Sequence, residues 1–301
     1  QARMTTSVYI SDEKIQVLTG AVVKGRLDVK ACMFVTLPEK TMVNGVVTNE
    51  VALKESIEKL WSKYDLPKKD ISLVVDSGTI LNKKAKVPAL PEATVLNLVQ
   101  EEFKDVEGFS NFLFDYYVLE DGHNGQPEVL ANAVNKELVA AYIRCFEGVG
   151  VTLKSICTAL CSELKLVNLA KEFSGKNEII VVLDQFSLTS VLLMDGKYSF
   201  ASRTRLLDQR GTEQSEIEIA RGLSSLVQFA RSENAQKTIS NIYLCGLVQG
   251  EEQLCSKLTG MMGINVSAPP VCAEVTYQGD KEKANYLISD YLYALGNMIR
   301  M

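Results

Sequence analysis

The chain has 301 residues, of which 47% are hydrophobic and 23% charged, with a formal net charge of −5. This is the make-up of a globular protein long enough for two domains with sizeable cores, and its mild acidity argues against nucleic acid as a partner. No apolar run reaches the roughly 18 residues that span a bilayer, and the first residues, QARMTTSVYI, lack the charged region and long apolar stretch of a leader.

SVYIS, IQVLTGAVV and LDVKACMFVTL are predicted strands, from their alternation, their β-branched content and the polar turns at Asp12-Glu13-Lys14 and Lys24-Gly25-Arg26. NEVALKESIEKLWSKY follows as a helix, with Val51, Leu53, Ile57, Leu60, Trp61 and Tyr64 largely on one face and Asn49 as its expected N-cap. ISLVVDSG is the next strand. Residues 78–134 read as an insertion: strand TILNKKAKV, helix LPEATVLNLVQEEF, then strands NFLFDYYVLE and EVLANAV. Helix ELVAAYIRCFEGVG, strand VTLKSIC and helix TALCSELKLVNLAKEF complete the first half.

From residue 178 the order begins again. EIIVVLDQ, LTSVLLMD and KYSFASRTRLL are three strands, the second turn being Asp195-Gly196-Lys197. Helix SEIEIARGLSSLVQFARSEN, strand NIYLCG, helix EEQLCSKLTGMMG, strand INVSAPP and closing helix KEKANYLISDYLYALGNMIRM follow. The expected fold is therefore mixed α/β, with two similar lobes. The first is residues 1–77 with 135–176, and it carries the small α+β subdomain 78–134. The second is 177–301, its last helix free to pack back on the first lobe. Seven cysteines (Cys32, Cys145, Cys157, Cys161, Cys245, Cys255 and Cys272) include no CxxC and sit mostly in apolar segments, which fits a reducing compartment. The single histidine, His123 in DGHNGQP, makes His catalysis or a His-rich metal site unexpected.

A duplicated strand–strand–strand–helix–strand lobe resembles the actin/Hsp70-like, ribonuclease-H-like architecture. A strand–helix–strand–strand insertion resembles that of the branch shared by the cell-division actin homologue and the type IV pilus assembly protein PilM family. The residues resemble the PilM family more. VVTNEVALKESIEKLWSKYDLPKKDISLVVDSGTILNKKAKVPALPEATVLNLVQEEF is similar to its segment from the first-lobe helix to the insertion helix, with VPALP the most specific piece. FDYYVLED, EVLANAVNKELVAAYIRCFEGVGV, DGKYSFASR with Arg203, and ALGNMIR resemble later family segments. The resemblance implies ATP bound between the lobes on the cytoplasmic face of the inner membrane. It also implies a groove between first lobe and insertion that docks the cytoplasmic N-terminal segment of a membrane-spanning PilN-type protein.

Against the family pattern the nucleotide residues are thinned. In the first hairpin, Tyr9 to Gln16, the family's glycine is absent, Gln16 stands where its lysine would be, and Asp12 and Glu13 add negative charge. In the second, Asp184, Ser187 and Thr189 are kept, Asp184 as a water-bridged Mg²⁺ ligand or simply a turn cap, but Phe186 stands at the glycine position. In the third, Gly246 is followed by Leu247 instead of a second glycine. Asp184, Ser187, Thr189 and Gly246 are the candidate nucleotide residues. No catalytic residue and no metal site is assigned. The expectation is a cleft without cofactor, with Mg-ATP as the alternative occupant, and with Phe186 filling the space between the lobes.

The chain is thus expected to be a cytoplasmic scaffold of pilus biogenesis that hydrolyses ATP slowly or not at all, held at the inner face of the membrane through partners and not inserted in it. Val87, Pro88 and Leu90, with strand NFLFDYY, are the candidate partner-binding residues, the alternative being that this apolar surface is the subdomain's own core. Homo-oligomers stay open. The alternative functions are an active actin-like ATPase of the pilus machine and a cell-division-type actin homologue.

Overall fold

A computed structural model describes residues 3–122 and 125–300; His123 lies outside the described residues. The first lobe opens with antiparallel β1 (Thr5–Ile10), β2 (Lys14–Val23) and β3 (Arg26–Thr36). A two-residue-strand hairpin follows, β4 (Met42–Val43) and β5 (Val46–Val47), turning at Asn44 and Gly45 with φ of 52° and 75°. Asn-Gly is the pair that accepts two left-handed residues in succession. Helix α1 (Glu50–Tyr64) starts where the Asn49 side chain accepts from the Ala52 amide, and β6 (Ile71–Val75) pairs parallel with β1.

The inserted subdomain is β7 (Leu81–Lys86), α2 (Glu92–Glu101), β8 (Phe112–Glu120) and β9 (Glu128–Asn135), with sheet order β7-β9-β8. Strand β8 alternates: Phe112 and Phe114 pack into the subdomain core with Phe103 and Phe109, while Leu113 is exposed. Helix α3 (Lys136–Glu147), β10 (Leu153–Thr158) and α4 (Ala159–Leu169) finish the first half.

The second lobe repeats the order: β11 (Glu178–Leu183), β12 (Ser187–Met194), β13 (Lys197–Arg205), α5 (Glu213–Glu233), β14 (Asn241–Cys245), α6 (Leu254–Met262) and β15 (Asn265–Ser267). Its sheet runs β13-β12-β11-β14-β15, and the first-lobe sheet runs β10-β6-β1-β2-β3, the same order of equivalents. One strand has no counterpart: β16 (Val275–Tyr277) adds parallel to β3, so the first sheet takes its outermost strand from late in the chain. Helix α7 (Lys281–Asn297) ends the chain's regular structure.

The layers follow from where the apolar residues fall. Helices α1 and α3 cover one face of the first sheet, around Leu53, Ile57, Trp61, Tyr142 and Phe146. Helices α5 and α6 cover the far face of the second, around Ile219, Leu223, Leu226 and Leu258. Between the two sheets lie α4 and α7, in one continuous core from Leu18 and Val29 through Leu164, Leu292 and Leu295 to Val191 and Tyr243. Polar contacts fasten α7 to the first lobe. Ser7 Oγ donates to the Ala294 carbonyl at 2.7 Å, and Asn297 Nδ2 donates to Ser7 Oγ at 2.9 Å and to the Ser72 carbonyl at 3.0 Å. Tyr9 and Tyr293 meet edge to face at 5.0 Å.

Among the described residues a few buried side-chain atoms lack the partner that buried polar groups usually have, Ser190 Oγ and Glu178 Oε1 among them. Glu163, on α4, is buried and its Oε2 has no hydrogen-bond partner. Burial, and after it the nearby Asp76, hold its carboxyl well above the usual carboxylate range. The native state therefore binds a proton that the unfolded chain releases above about pH 4.5, its ordinary value. The resulting stability is complete below that pH and is lost as pH rises through the folded value. Glu163→Met, of similar shape, is expected to raise stability near neutral pH by about 1–3 kcal/mol. The gain should widen toward pH 9, as read by thermal melts across that range. A gain independent of pH, or none, contradicts this account of Glu163.

Candidate functional site: an inter-lobe cleft and a lateral groove

The cleft is framed by the ends of β1, β6, β11 and β14, where chain reversals bring turn amides together. In the first turn the Ser11 hydroxyl accepts from the Glu13 and Lys14 amides at 3.2 and 3.1 Å. Asp12 turns the other way and accepts from the Asn44 and Gly45 amides, both at 2.9 Å. The β4–β5 hairpin is thus a lid on the first turn. The Asn44 side chain also accepts from the Gly78 amide at 2.9 Å. Gln16, at the position of the family's lysine, is buried and donates to the Asp290 carbonyl of α7 at 2.7 Å.

In the second turn Asp184 caps its own backbone. Its Oδ1 accepts from the Phe186 and Ser187 amides at 2.8 and 2.6 Å, and its Oδ2 accepts from Ser187 Oγ at 2.7 Å. The remaining amide, of Gln185, donates to the carboxylate of Glu13 from the opposite lobe. Burial raises the Glu13 carboxyl, partly countered by that hydrogen bond. Thr189 lies within the sheet, opposite Arg203 in register and on the same face. Phe186 does not fill the cleft as the sequence led us to expect. It is 48% exposed and belongs to none of the core clusters. Its backbone, held by Asp184 and by the Leu206 amide at 2.8 Å, aims the ring outward.

Charged groups occupy the cleft instead. Arg203 on β13 reaches across the lobes to Asp76 at 2.8 Å. Burial raises the Asp76 carboxyl, against the pull of Arg203. Arg210 makes a forked pair with Glu251 at 2.8 and 2.5 Å and donates to the Asp184 carbonyl at 2.8 Å and the Gly246 carbonyl at 3.0 Å. It thereby joins the second and third turns. Gly246 has a steric reason to be glycine: its φ is +82°, and a methyl group there would overlap the Leu183 carbonyl. Asp184, Ser187 and Gly246 are therefore brought together, with Thr189 one pleat away. Arg210, Glu251 and the Asn44–Gly45 lid escaped the sequence reading. Asn-Gly between valines was the available signal for the lid; nothing local marks Arg210 in LLDQRGTEQ. Among the described residues no group of three or more His, Cys, Asp or Glu side chains is placed to hold a metal ion.

A second concavity lies between the first lobe and the inserted subdomain. It has a volume of about 1050 Å³ and runs between β8 and β10, each the outer strand of its sheet. Leu113, Tyr117, Ile143, Ile156, Cys157 and Lys165 are among its lining residues. Edge strands leave a row of amides and carbonyls without ladder partners, a template for an added strand. The NFLFDYY segment is thus on the groove. Val87, Pro88 and Leu90 are not on its lining: Val87 is packed in the subdomain core, and Pro88 and Leu90 are exposed outside it.

The family model for type IV pilus assembly protein PilM matches residues 7–190, more than half of the chain. The chain belongs to the PilM family. The fold agrees. The structure of a PilM–PilN type IV pilus biogenesis complex superposes with a TM-score of 0.81 at 18% identity, covering 98% of this chain and 97% of that one. A Bacteroides thetaiotaomicron protein of actin-like ATPase fold and unknown function gives 0.56 at 10% identity, covering 98% and 96%. The ethanolamine utilization protein EutJ of Carboxydothermus hydrogenoformans gives 0.55 at 9% identity, covering 99% and 90%. At these identities the likeness is one of fold alone, and that fold is the actin-like one. No curated protein matches by sequence. Among the described residues no helix is long and apolar enough to cross a membrane.

Proposed function

We propose that this PilM-family chain is a cytoplasmic, actin-like scaffold of type IV pilus assembly. In this reading it captures the cytoplasmic segment of a PilN-type membrane protein in the lateral groove, and its inter-lobe cleft takes no nucleotide. The groove carries the first part. It presents two facing sheet edges, one from each of two rigid bodies, with apolar Leu113, Val139, Ile143 and Ile156 between them. An extended peptide could add main-chain hydrogen bonds along an edge and seat alternate side chains on that apolar floor. The complex of a PilM with a PilN among the structural neighbours supports the partner class.

The cleft residues do not fit a triphosphate. Phosphate cradles need free amides and unspent cations. Here the amides of Glu13, Lys14, Gln185, Phe186 and Ser187 already donate to Ser11, Glu13 and Asp184. Arg203 and Arg210 are committed to Asp76 and Glu251. Glu13 stands where an anion from outside would bind. Its carboxylate bridges the lobes by accepting from the Gln185 amide.

Titration calorimetry tests both parts. A peptide from the cytoplasmic N-terminal segment of the PilN-type partner should bind. Leu113→Glu should weaken it at least about ten-fold, or about 1.4 kcal/mol, without shifting the melting temperature, because Leu113 is exposed. Leu90→Ala should bind as the parent does. Mg-ATP should give no saturable heat. Micromolar Mg-ATP affinity lost in Asp184→Asn, or peptide affinity indifferent to Leu113→Glu, contradicts the corresponding part.

A further inference from the structure

The groove floor carries chemistry that peptide docking does not use. Cys157, at the end of β10, and Cys161, in the first turn of α4, both line it together with Tyr117 and Lys165. The Ser162 hydroxyl donates to the Cys157 sulfur at 3.4 Å, and the Lys165 ammonium lies 3.7 Å from it. A hydroxyl donor and a cation both stabilise negative charge as it gathers on a reacting sulfur. The Cys157 thiol in turn donates to the carbonyl of Thr158, the N-cap of α4, at 3.5 Å. All seven cysteines are free thiols, and Cys157 is half-buried, reachable from the groove. Its neighbours in the chain are differently placed. Burial pushes the thiols of Cys145, Cys161 and Cys272 up to about 11, 12 and 12, and buried Cys245 is raised as well.

We infer that Cys157 is a peroxide-reactive thiol, an oxidative modification site built into the floor of the groove. The sulfur attacks one oxygen of a hydroperoxide; an S–O bond forms as the O–O bond breaks. Sulfur gives up two electrons and becomes a sulfenic acid. The departing oxygen takes the thiol's proton and leaves as water or an alcohol. The product is bulkier and more polar than the thiol at a point that an apolar peptide face would cover. That consequence rests on the groove reading; the reactivity does not.

The test uses the whole chain. Dilute hydrogen peroxide is added with dimedone to trap sulfenic acid, and adducts are located by peptide mass spectrometry over time. The adduct should appear first at Cys157, at least about ten-fold ahead of Cys161, and Lys165→Met should slow it about three-fold or more while the circular dichroism spectrum is kept. Saturating PilN-type peptide should protect Cys157, and peroxide-treated protein should bind the peptide more weakly, whereas treated Cys157→Ser should bind as before treatment. Adducts spread evenly over the cysteines, a preference for half-buried Cys32, or a rate indifferent to Lys165→Met overturns the inference. Normal peptide affinity after full oxidation of Cys157 overturns its link to the groove. If untreated protein binds no peptide, the groove reading fails, and the adduct map still decides for or against Cys157.

Discussion

Gly296→Ala is expected to cost about 3 kcal/mol or more, seen as a lower midpoint in urea unfolding. Gly296 lies in α7 where that helix crosses α4, and a methyl group there would overlap the Ser162 carbonyl oxygen. A clash with a flexible side-chain tip can be relieved by a rotamer change. This one is with backbone, near the start of helix α4. Helix α7 cannot slide away either, because Ser7, Asn297 and Ser72 hold its last two turns to the first sheet. Relief must come from prising the two helices apart, which opens voids in the core that joins both lobes. Helix α5 supplies the control. At Gly222 a methyl group would meet only Leu188 Cδ1, at 3.7 Å, so Gly222→Ala should gain about 0.5–1 kcal/mol from helix propensity. Equal effects at the two glycines would show that the α4–α7 crossing is not as close as described.

Arg210→Met is expected to destabilise the chain by about 3–5 kcal/mol, more than its loss of packing explains. The pair it makes with Glu251 is almost dry, with side-chain exposures of 6% and 0%. Removing the cation leaves a buried carboxylate with, among the described residues, only the Val248 amide, at 3.0 Å, as donor. It also leaves the Asp184 and Gly246 carbonyls without the guanidinium that joins them. Taking away both charges should hurt less than taking away one. Arg210→Met combined with Glu251→Met should recover at least about 2 kcal/mol of the single-variant loss, since an apolar pair of similar volume has no charge to strand. Additive losses in this cycle, measured by urea unfolding, would mean that the two side chains do not depend on each other.

How much of this was legible in the sequence depended on range. Elements set by neighbours a few residues apart could be read directly. The two runs of three strands stand out by β-branched residues between polar turns, and Asn49 caps α1 as its position before the apolar stripe suggested. The insertion between β6 and α3, and the second use of the same element order, followed from those signals. The site was legible only in part. Phe186 at a glycine position suggests a ring in the cleft, but the ring's direction depends on an Asp184 cap and a Leu206 contact that composition does not reveal. The partners that occupy the cleft are separated by 172 residues for Glu13 and Gln185 and by 127 for Asp76 and Arg203. No local pattern joins residues so far apart. VPALP marked the subdomain well but not the groove, because Val87 is needed for the subdomain's own core. The same holds for β16, Val-Thr-Tyr, which is β-prone but too short to be read as a strand until β3 supplies its partner.

The wedging of α4 and α7 between the two sheets has a mechanical consequence. The seam is fastened by the Ser7, Ser72 and Asn297 hydrogen bonds, the Tyr9–Tyr293 contact and the close approach of Gly296 to Ser162. A tug on the inserted subdomain is therefore passed to the second lobe as it would be through a strut.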